Sequence, residues 1–351
     1  MYRFIIPTAV LALFAVDGLN TDYTAERTLR IVSETTATVE TTDFSFIRDG
    51  EPQDFGGRGF GGGGSELNRE IVQLDTVMAH EDGVPTKVKR EFDTVESTTS
   101  RAGRDGEMRE VDADSPMDGE TLILSLDDDG DAVAELESGD DPDEGSMLIG
   151  HSLSLALDAL LPDEDVDSGD SWEIEKDALL RALGMDVESA LFPRRAPEGD
   201  GEGRGGRGGG RGGFGGSRGG GSPVAFFTNA DWEGKAKYTD STEEVEGLEC
   251  VVIELEFEAE GDLPERQFGR DRRESLFGPA TTETVLESTY EVTLEGKLYF
   301  SLEEKRPVKL ELEGEFTLET NREFDRQGST MSMSTTQEGE YEYTVTVTLE
   351  D

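Results

Sequence analysis

The sequence predicts a mainly β protein: a curved antiparallel sheet, half-barrel or clam-like, packed on one or two short central helices, with disordered Gly/Arg-rich inserts. Three observations carry this expectation. Apolar and polar residues alternate along several long segments, the pattern of strands with one buried and one wet face. Two apolar stretches of helical spacing separate an early from a late set of such segments. Glycine is concentrated: of 43 glycines, 7 fall in Phe55–Gly64 and 15 in Gly199–Gly221. A two-sheet β-sandwich is the alternative.

Taken in order, the early strand segments are Thr21–Glu34, Thr38–Ile47, Glu70–Ala79, Thr86–Glu96, Thr121–Leu126 and Asp131–Glu137. They read as shorter than the late ones. Asp82-Gly83 and Asp129-Gly130 lie between paired runs and read as hairpin turns. In Met147–Leu160, Ile149, Leu153, Leu157 and Leu160 recur at helical spacing until Pro162. Leu153, Leu155 and Leu157 also suit a strand. Asp177–Leu183 reads as a short helix with Gly184 as its C-terminal cap. Trp232–Thr239 opens the late set. Alternating runs continue through Val251–Ala259, Tyr290–Phe300, Val308–Leu318 and Tyr341–Leu349. Alternation this clean argues for antiparallel pairing. Glu246-Gly247, Glu295-Gly296 and Glu303-Glu304 are turn candidates. A sheet with one apolar face must cover it, and the central helices or the facing half are the available covers.

The expected organisation is a signal peptide over 1–18, an N-terminal β region with central helices over 19–195, a Gly/Arg-rich insert over 196–222 and a C-terminal antiparallel β region over 223–351. Arg3, the apolar run Phe4–Val16 and the small residues Val16 and Gly18 form the signal, with cleavage before Leu19. The run is too short to span a bilayer comfortably, and no later segment is long and apolar enough to do so. The expected location is periplasmic or secreted. Cys250 is the single cysteine, so no intramolecular disulfide forms, and its apolar surroundings predict a buried thiol.

The 80 acidic residues face 32 basic ones, for a net charge of −48. Phosphate would be repelled, which excludes general nucleic-acid binding by the folded part. A surface so charged self-repels at low ionic strength and is relieved by screening.

Each chemical motif has a plainer reading beside it. Gly150-His151-Ser152-Leu153-Ser154 is similar to the nucleophile elbow of α/β-hydrolases. Ser154 stands where the elbow needs glycine, and no histidine lies beyond His151. Asp127–Asp131 and Asp163–Asp170 resemble calcium loops, but neither supplies the bidentate acid at the twelfth position, so polar turns are the expectation. Weak divalent-cation binding stays open there, and no metal ligands are assigned. The arginines of Gly199–Gly221 sit near Glu198, Asp200 and Glu202, and the tract reads as a flexible insert rather than an RNA-binding one. Phe55–Gly64 and Gln267–Gly278 share its mixture of Phe, Arg and Gly.

Leu161-Pro162-Asp163-Glu164-Asp165-Val166-Asp167-Ser168-Gly169-Asp170-Ser171-Trp172 has a mechanical reading. Pro162 ends a helix, Val166 and Trp172 anchor in a core, and Gly169 permits a tight turn. On these residues the chain resembles a group of uncharacterised exported bacterial β-rich proteins with an L-P-x3-V-x2-G-D-S-W signature. The resemblance implies an envelope location and no activity. By analogy, such half-barrels are similar to lipoprotein-carrier folds that hold apolar ligands.

The sequence assigns no catalytic and no cofactor-binding residues and implies no cofactor. It points to a non-enzymatic, exported acidic protein with a binding or structural role at the bacterial envelope, whose partner is an envelope component or an apolar ligand. A cation-responsive acidic matrix protein is the alternative. A hydrolase built on acidic residues is a third class, and no carboxylate pair stands out for it.

Overall fold

The computed structural model describes residues 18–53, 63–103, 107–138, 145–193, 224–263, 284–326 and 329–350. The signal segment before Gly18, the tracts Gly199–Gly221 and Gln267–Gly278, and all of Phe55–Gly64 but its last two glycines lie outside them.

The early strands are β1 (Thr28–Arg48), β2 (Glu51–Pro52), β3 (Ser65–Glu81), β4 (Val84–Ala102), β5 (Met108–Asp114), β6 (Thr121–Leu126) and β7 (Ala132–Leu136). The late ones are β8 (Ser171–Ile174), β9 (Trp232–Val245), β10 (Leu248–Leu263), β11 (Thr284–Ser301), β12 (Arg306–Arg326) and β13 (Ser329–Glu350). All 13 belong to one open antiparallel sheet in the order β7-β6-β4-β3-β1-β13-β12-β11-β10-β9-β8, with β2 beside β1 and β5 beside β4. The fold is therefore mainly β, and the sandwich alternative gives way to a single sheet. The first long strand and the last lie side by side, from Thr28 opposite Glu350 to Arg48 opposite Met331.

Three hairpins turn on an acidic residue with glycine after it, both at positive φ: Asp49-Gly50, Asp82-Gly83 and Glu246-Gly247. That pair of conformations matches the twist of the flanking strands. The first of these turns is not among the expected ones, and Thr21–Glu34 and Thr38–Ile47 merge into one 21-residue strand that begins only at Thr28. As a set the early strands are still the shorter, although β1, β3 and β4 run to 21, 17 and 19 residues. β5 and β8 are likewise unexpected; the seven residues of β5 are all exposed, so no alternation marks it.

Two further expectations are corrected. Glu295-Gly296 is no turn but the middle of β11. A Cβ at Gly296 would lie 1.9 Å from the Glu311 carbonyl oxygen, and one at Gly314 would lie 1.9 Å from that of Thr293. Glycine here marks the close approach of two backbones, not a chain reversal. Met147–Leu160 is not one helix. It contains two 3-10 turns, Gly145–Leu148 and Ala156–Leu160, with irregular chain between. Leu153 packs in a cluster with Phe92 and Leu122, whereas Leu155 and Leu157 pack in the main core. One helical stripe could not serve two clusters. The expected helix at Asp177–Leu183 is present as α1 (Lys176–Ala182), with a single turn, α2 (Glu188–Leu191), after it.

One hydrophobic cluster joins the inner parity of the sheet, including Ile31, Leu255, Phe257, Leu294 and Tyr341, with Leu157, Leu160, Leu179, Ala182 and Phe227 of the connecting segments. Leu19 and Tyr23 of the N-terminal segment are buried in it. The signature behaves as its mechanics suggest: the Trp172 indole N–H donates to the Leu160 carbonyl at 3.1 Å, Gly169 takes φ 98°, and Val166 packs on the core. Cys250 is buried, in a small cluster with Val252, Tyr299 and Val308.

The outer parity is acidic in rows. Glu256, Glu295, Glu313 and Glu342 are successive register partners on β10, β11, β12 and β13. Glu34, Glu70, Glu96 and Asp114 form a second row on β1, β3, β4 and β5. Glu254 differs, because its register partners are Lys237 and Lys297.

Candidate functional site

Where β1, β3 and β13 meet, the inner parity stops being wholly apolar. Along β3 the inward positions read Leu67, Arg69, Ile71, Gln73, Asp75 and Val77. Along β4, Arg90 falls between Val88 and Phe92 on the same parity. These charges line a cavity of about 90 Å³. Its sheet wall includes Ser33, Thr35, Arg69, Asp75 and Tyr343, and its other wall comes from Gly150–Leu157 and from the chain around Arg181–Phe192. The exposed Arg181 and Asp186 stand at its rim.

Asp75 and Arg90 are register partners and close a bidentate pair, Nε to Oδ1 at 2.8 Å and Nη2 to Oδ2 at 2.6 Å. Nη2 also donates to the Ser152 carbonyl at 3.1 Å, which ties the connecting segment to the sheet. Burial works against the Arg90 charge, but the Asp75 carboxylate holds its pKa above the ordinary value.

Arg69 is held differently. Its Nη2 donates to Glu188 Oε1 at 2.9 Å, and its guanidinium lies 4.6 Å from the centre of the Phe192 ring. Its Nε is buried with no hydrogen-bond acceptor among the described residues. A buried donor of a charged group left without an acceptor is costly.

Behind the cavity the N-terminal segment is fastened to the Ala156–Leu160 turn. Asp158 accepts from the Thr21 hydroxyl at 2.6 Å and from the Tyr23 hydroxyl, while the Leu155 N–H donates to Tyr23 Oη at 2.6 Å. Burial pushes the Asp158 carboxyl up to about 6, with the Thr21 and Tyr23 bonds opposing.

Gly150, Ser152 and Ser154 line the cavity, but the residues of this motif do not form a catalytic pair. His151 Nε2 meets the Met147 carbonyl at 3.1 Å, and its ring is 6.0 Å from that of Phe92. Burial, then the nearby Arg90 charge, pushes its pKa down to about 4. The Ser152 hydroxyl bonds that of Ser154 at 3.2 Å.

The two acidic loops are turns that bond themselves. Asp127 Oδ1 accepts from the N–H groups of Asp129 and Asp131 at 2.9 and 3.0 Å. Asp170 Oδ2 accepts from the Asp167 N–H at 2.9 Å. Among the described residues no three His, Cys, Asp or Glu side chains group as a metal site. No helix among them is long and apolar enough to cross a membrane.

Arg69, Asp75 and Arg90 are not among the residues that sequence motifs single out. The signal that marks them is a charge on the apolar parity of a strand, visible once β3 and β4 are assigned. The chain matches no protein-family model and no curated protein.

Proposed function

We propose that the chain is an exported, non-enzymatic binding protein of the bacterial envelope, periplasmic or secreted, which holds an apolar ligand against the inner face of a curved half-barrel. In this reading the glycines of β11 and β12 let the strands coil, and the connecting segments 145–193 and 224–231 act as the cover. The observation that carries it is the cavity at the seam between that cover and the sheet. Apart from β8, which belongs to the sheet, the cover consists of turns and helices of at most seven residues. Such elements gain little from their own hydrogen bonds, so the cover is held by the packing of Leu157, Leu160, Leu179 and Phe227 on the sheet. A ligand longer than the cavity is admitted as the cover lifts.

The test is uptake of N-phenyl-1-naphthylamine, whose fluorescence rises in apolar surroundings. Saturable uptake by the native fold, with a rise in melting temperature, supports the reading. No uptake and no shift would remove it. N-terminal sequencing of protein from the native host tests export: a chain starting at Leu19 supports it, and one starting at Met1 overturns it.

The acidic rows favour a second reading, a cation-responsive matrix protein. Its test is melting in calcium and in sodium at matched ionic strength. Superimposed curves would eliminate it.

A further inference from the structure

We infer that Leu19–Arg27 is a strap that fastens the cover to one end of the sheet, and that Asp158 makes it a pH-sensitive latch, closed in acid and looser toward neutral pH. The inference rests on the proposed export in one respect: removal of the signal makes Leu19 a chain end, which can detach without moving the rest of the chain.

The strap bridges three parts of the molecule. On the sheet it is bonded to two hairpins from opposite halves. The Tyr23 N–H donates to the Gly83 carbonyl between β3 and β4 at 3.3 Å, and the Asp22 N–H to the Lys305 carbonyl between β11 and β12 at 2.9 Å. Arg27 pairs with Glu304 of the second hairpin, and the Glu26 N–H donates to the Val77 carbonyl at 2.8 Å. On the cover the bonds converge on one turn: the Thr21 and Tyr23 hydroxyls donate to Asp158, and Tyr23 Oη accepts from the Leu155 N–H. Leu155 and Leu157 line the seam cavity, so the strap fixes part of one cavity wall against the sheet. Leu19 and Tyr23 are buried in the main cluster, which holds the strap closed. The strand ladder begins only at Thr28, so the strap can open without breaking the sheet.

The chemistry of the Asp158 contacts gives the latch its sign. As a carboxylate, Asp158 accepts from both hydroxyls. As an acid it must donate its own proton, and Thr21 Oγ1 can receive it, because a hydroxyl turns from donor to acceptor. Burial, then the Asp158 charge, keeps the Tyr23 hydroxyl protonated well above its ordinary value, so Tyr23 stays a donor in both forms. Both forms are therefore bonded, and they differ in the cost of keeping a charge out of water, which favours the acid. The charged and titratable groups around the turn are Asp22, Glu26 and Arg27 on the strap, Asp75 and Arg90 on the sheet near Tyr23, and Lys176, Asp177 and Arg181 on α1, which packs against the turn. β12 also packs there and presents Leu310 and Leu312 from its inner parity. What acts on Asp158 itself is burial and the two hydroxyls.

The experiment is amide hydrogen exchange at pH 5 and pH 7.5, corrected for the intrinsic pH dependence of exchange, on the native chain and on Asp158→Asn, both made in the native host. The reporters are the N–H groups of Asp22, Tyr23, Glu26 and Leu155, and the central strand β13 is the reference. With Asp158 at about 6 when the strap is closed and 3.8 when it is open, opening is favoured about tenfold more at pH 7.5 than at pH 5. Protection of the reporters should fall by that factor in the native chain, beyond any change in β13, and should not depend on pH in Asp158→Asn. Carbon-13 titration of the Asp158 carboxyl in the native chain tests the same point without a variant, and a midpoint near 6 is expected. Protection that ignores pH, that falls equally in the variant, or that falls by the same factor in β13 overturns the latch, and so does a carboxyl midpoint at the ordinary value. The readout needs no ligand, and N-terminal sequencing of the same sample reports on export separately, so failure of the latch and failure of the proposed function are told apart.

Discussion

Asp75 and Arg90 face each other across β3 and β4 as register partners, joined by two hydrogen bonds at 2.8 and 2.6 Å in a core position. Both side chains are nearly inaccessible, at 6% and 7% exposure. Two like-sized apolar residues would fill these positions at no electrostatic cost. Removing one partner alone strands a buried charge. Asp75→Asn should therefore destabilise by about 3–5 kcal/mol in urea unfolding, and Asp75→Leu/Arg90→Met by much less. Equal losses in the two would show that the pair is not electrostatically coupled.

Asp158 links stability to pH. Its native pKa is raised to about 6 from an ordinary value of 3.8, so the folded state holds a proton that the unfolded chain has released. The stabilisation is complete below the unfolded value and is lost as pH rises through about 6. Asp158→Asn cannot ionise but accepts from only one of the two hydroxyls, so it should gain on the native protein by about 1–2 kcal/mol as pH rises from 5 to 7.5. Thermal melting of both at the two pH values checks this; a difference that ignores pH would place the Asp158 carboxyl in ordinary solvent.

The glycines inside β11 and β12 admit no side chain. Gly314→Ala would drive a methyl group to 1.9 Å from the Thr293 carbonyl oxygen and 2.7 Å from a Leu294 methyl. A loss of about 3 kcal/mol or more is expected, at the upper end of overpacking. Gly130→Ala meets nothing within 4 Å and carries only the strain of φ 89°, so it should cost about 1–2 kcal/mol. Chemical denaturation of the two variants should separate them; comparable losses would deny the close strand approach.

The acidic rows give a graded salt response. Glu313 lies between Glu295 and Glu342, whereas Glu254 lies between Lys237 and Lys297. Like charges directly opposite destabilise by tenths of a kcal/mol. At low salt Glu313→Gln should raise the melting temperature and Glu254→Gln should not. In near-molar sodium chloride the gain should fade, because the Debye length there is about 3 Å. The native protein should itself melt higher in high salt than in low salt. A melting temperature indifferent to sodium chloride would refute the repulsion.

The class of fold and its polarity are legible in the residue order alone. Alternation in Val251–Ala259 and Tyr341–Leu349 fixes which residues face inward, because side-chain direction along a strand depends only on parity. Asp82-Gly83 and Glu246-Gly247 fix two hairpins through local backbone preference. The Pro162, Gly169 and Trp172 signature is local too, and so are its mechanics. Other decisions belong to the packed chain. Gly296 looks like a turn until Glu311 of the neighbouring strand is placed against it. Met147–Leu160 looks like a helix until its leucines are divided between two clusters. The candidate site is of this second kind. Arg69, Asp75, Arg90 and Glu188 reach across as many as 119 residues to meet, and no local pattern specifies which partner a buried charge will find. Sheet register brings Asp75 to Arg90, and the return of α2 over β3 brings Glu188 to Arg69. The Arg69–Glu188 pairing comes from the whole fold, since it is set by where the chain between them, a separation of 119 residues, is packed, whereas Asp75 meets Arg90 across a single hairpin.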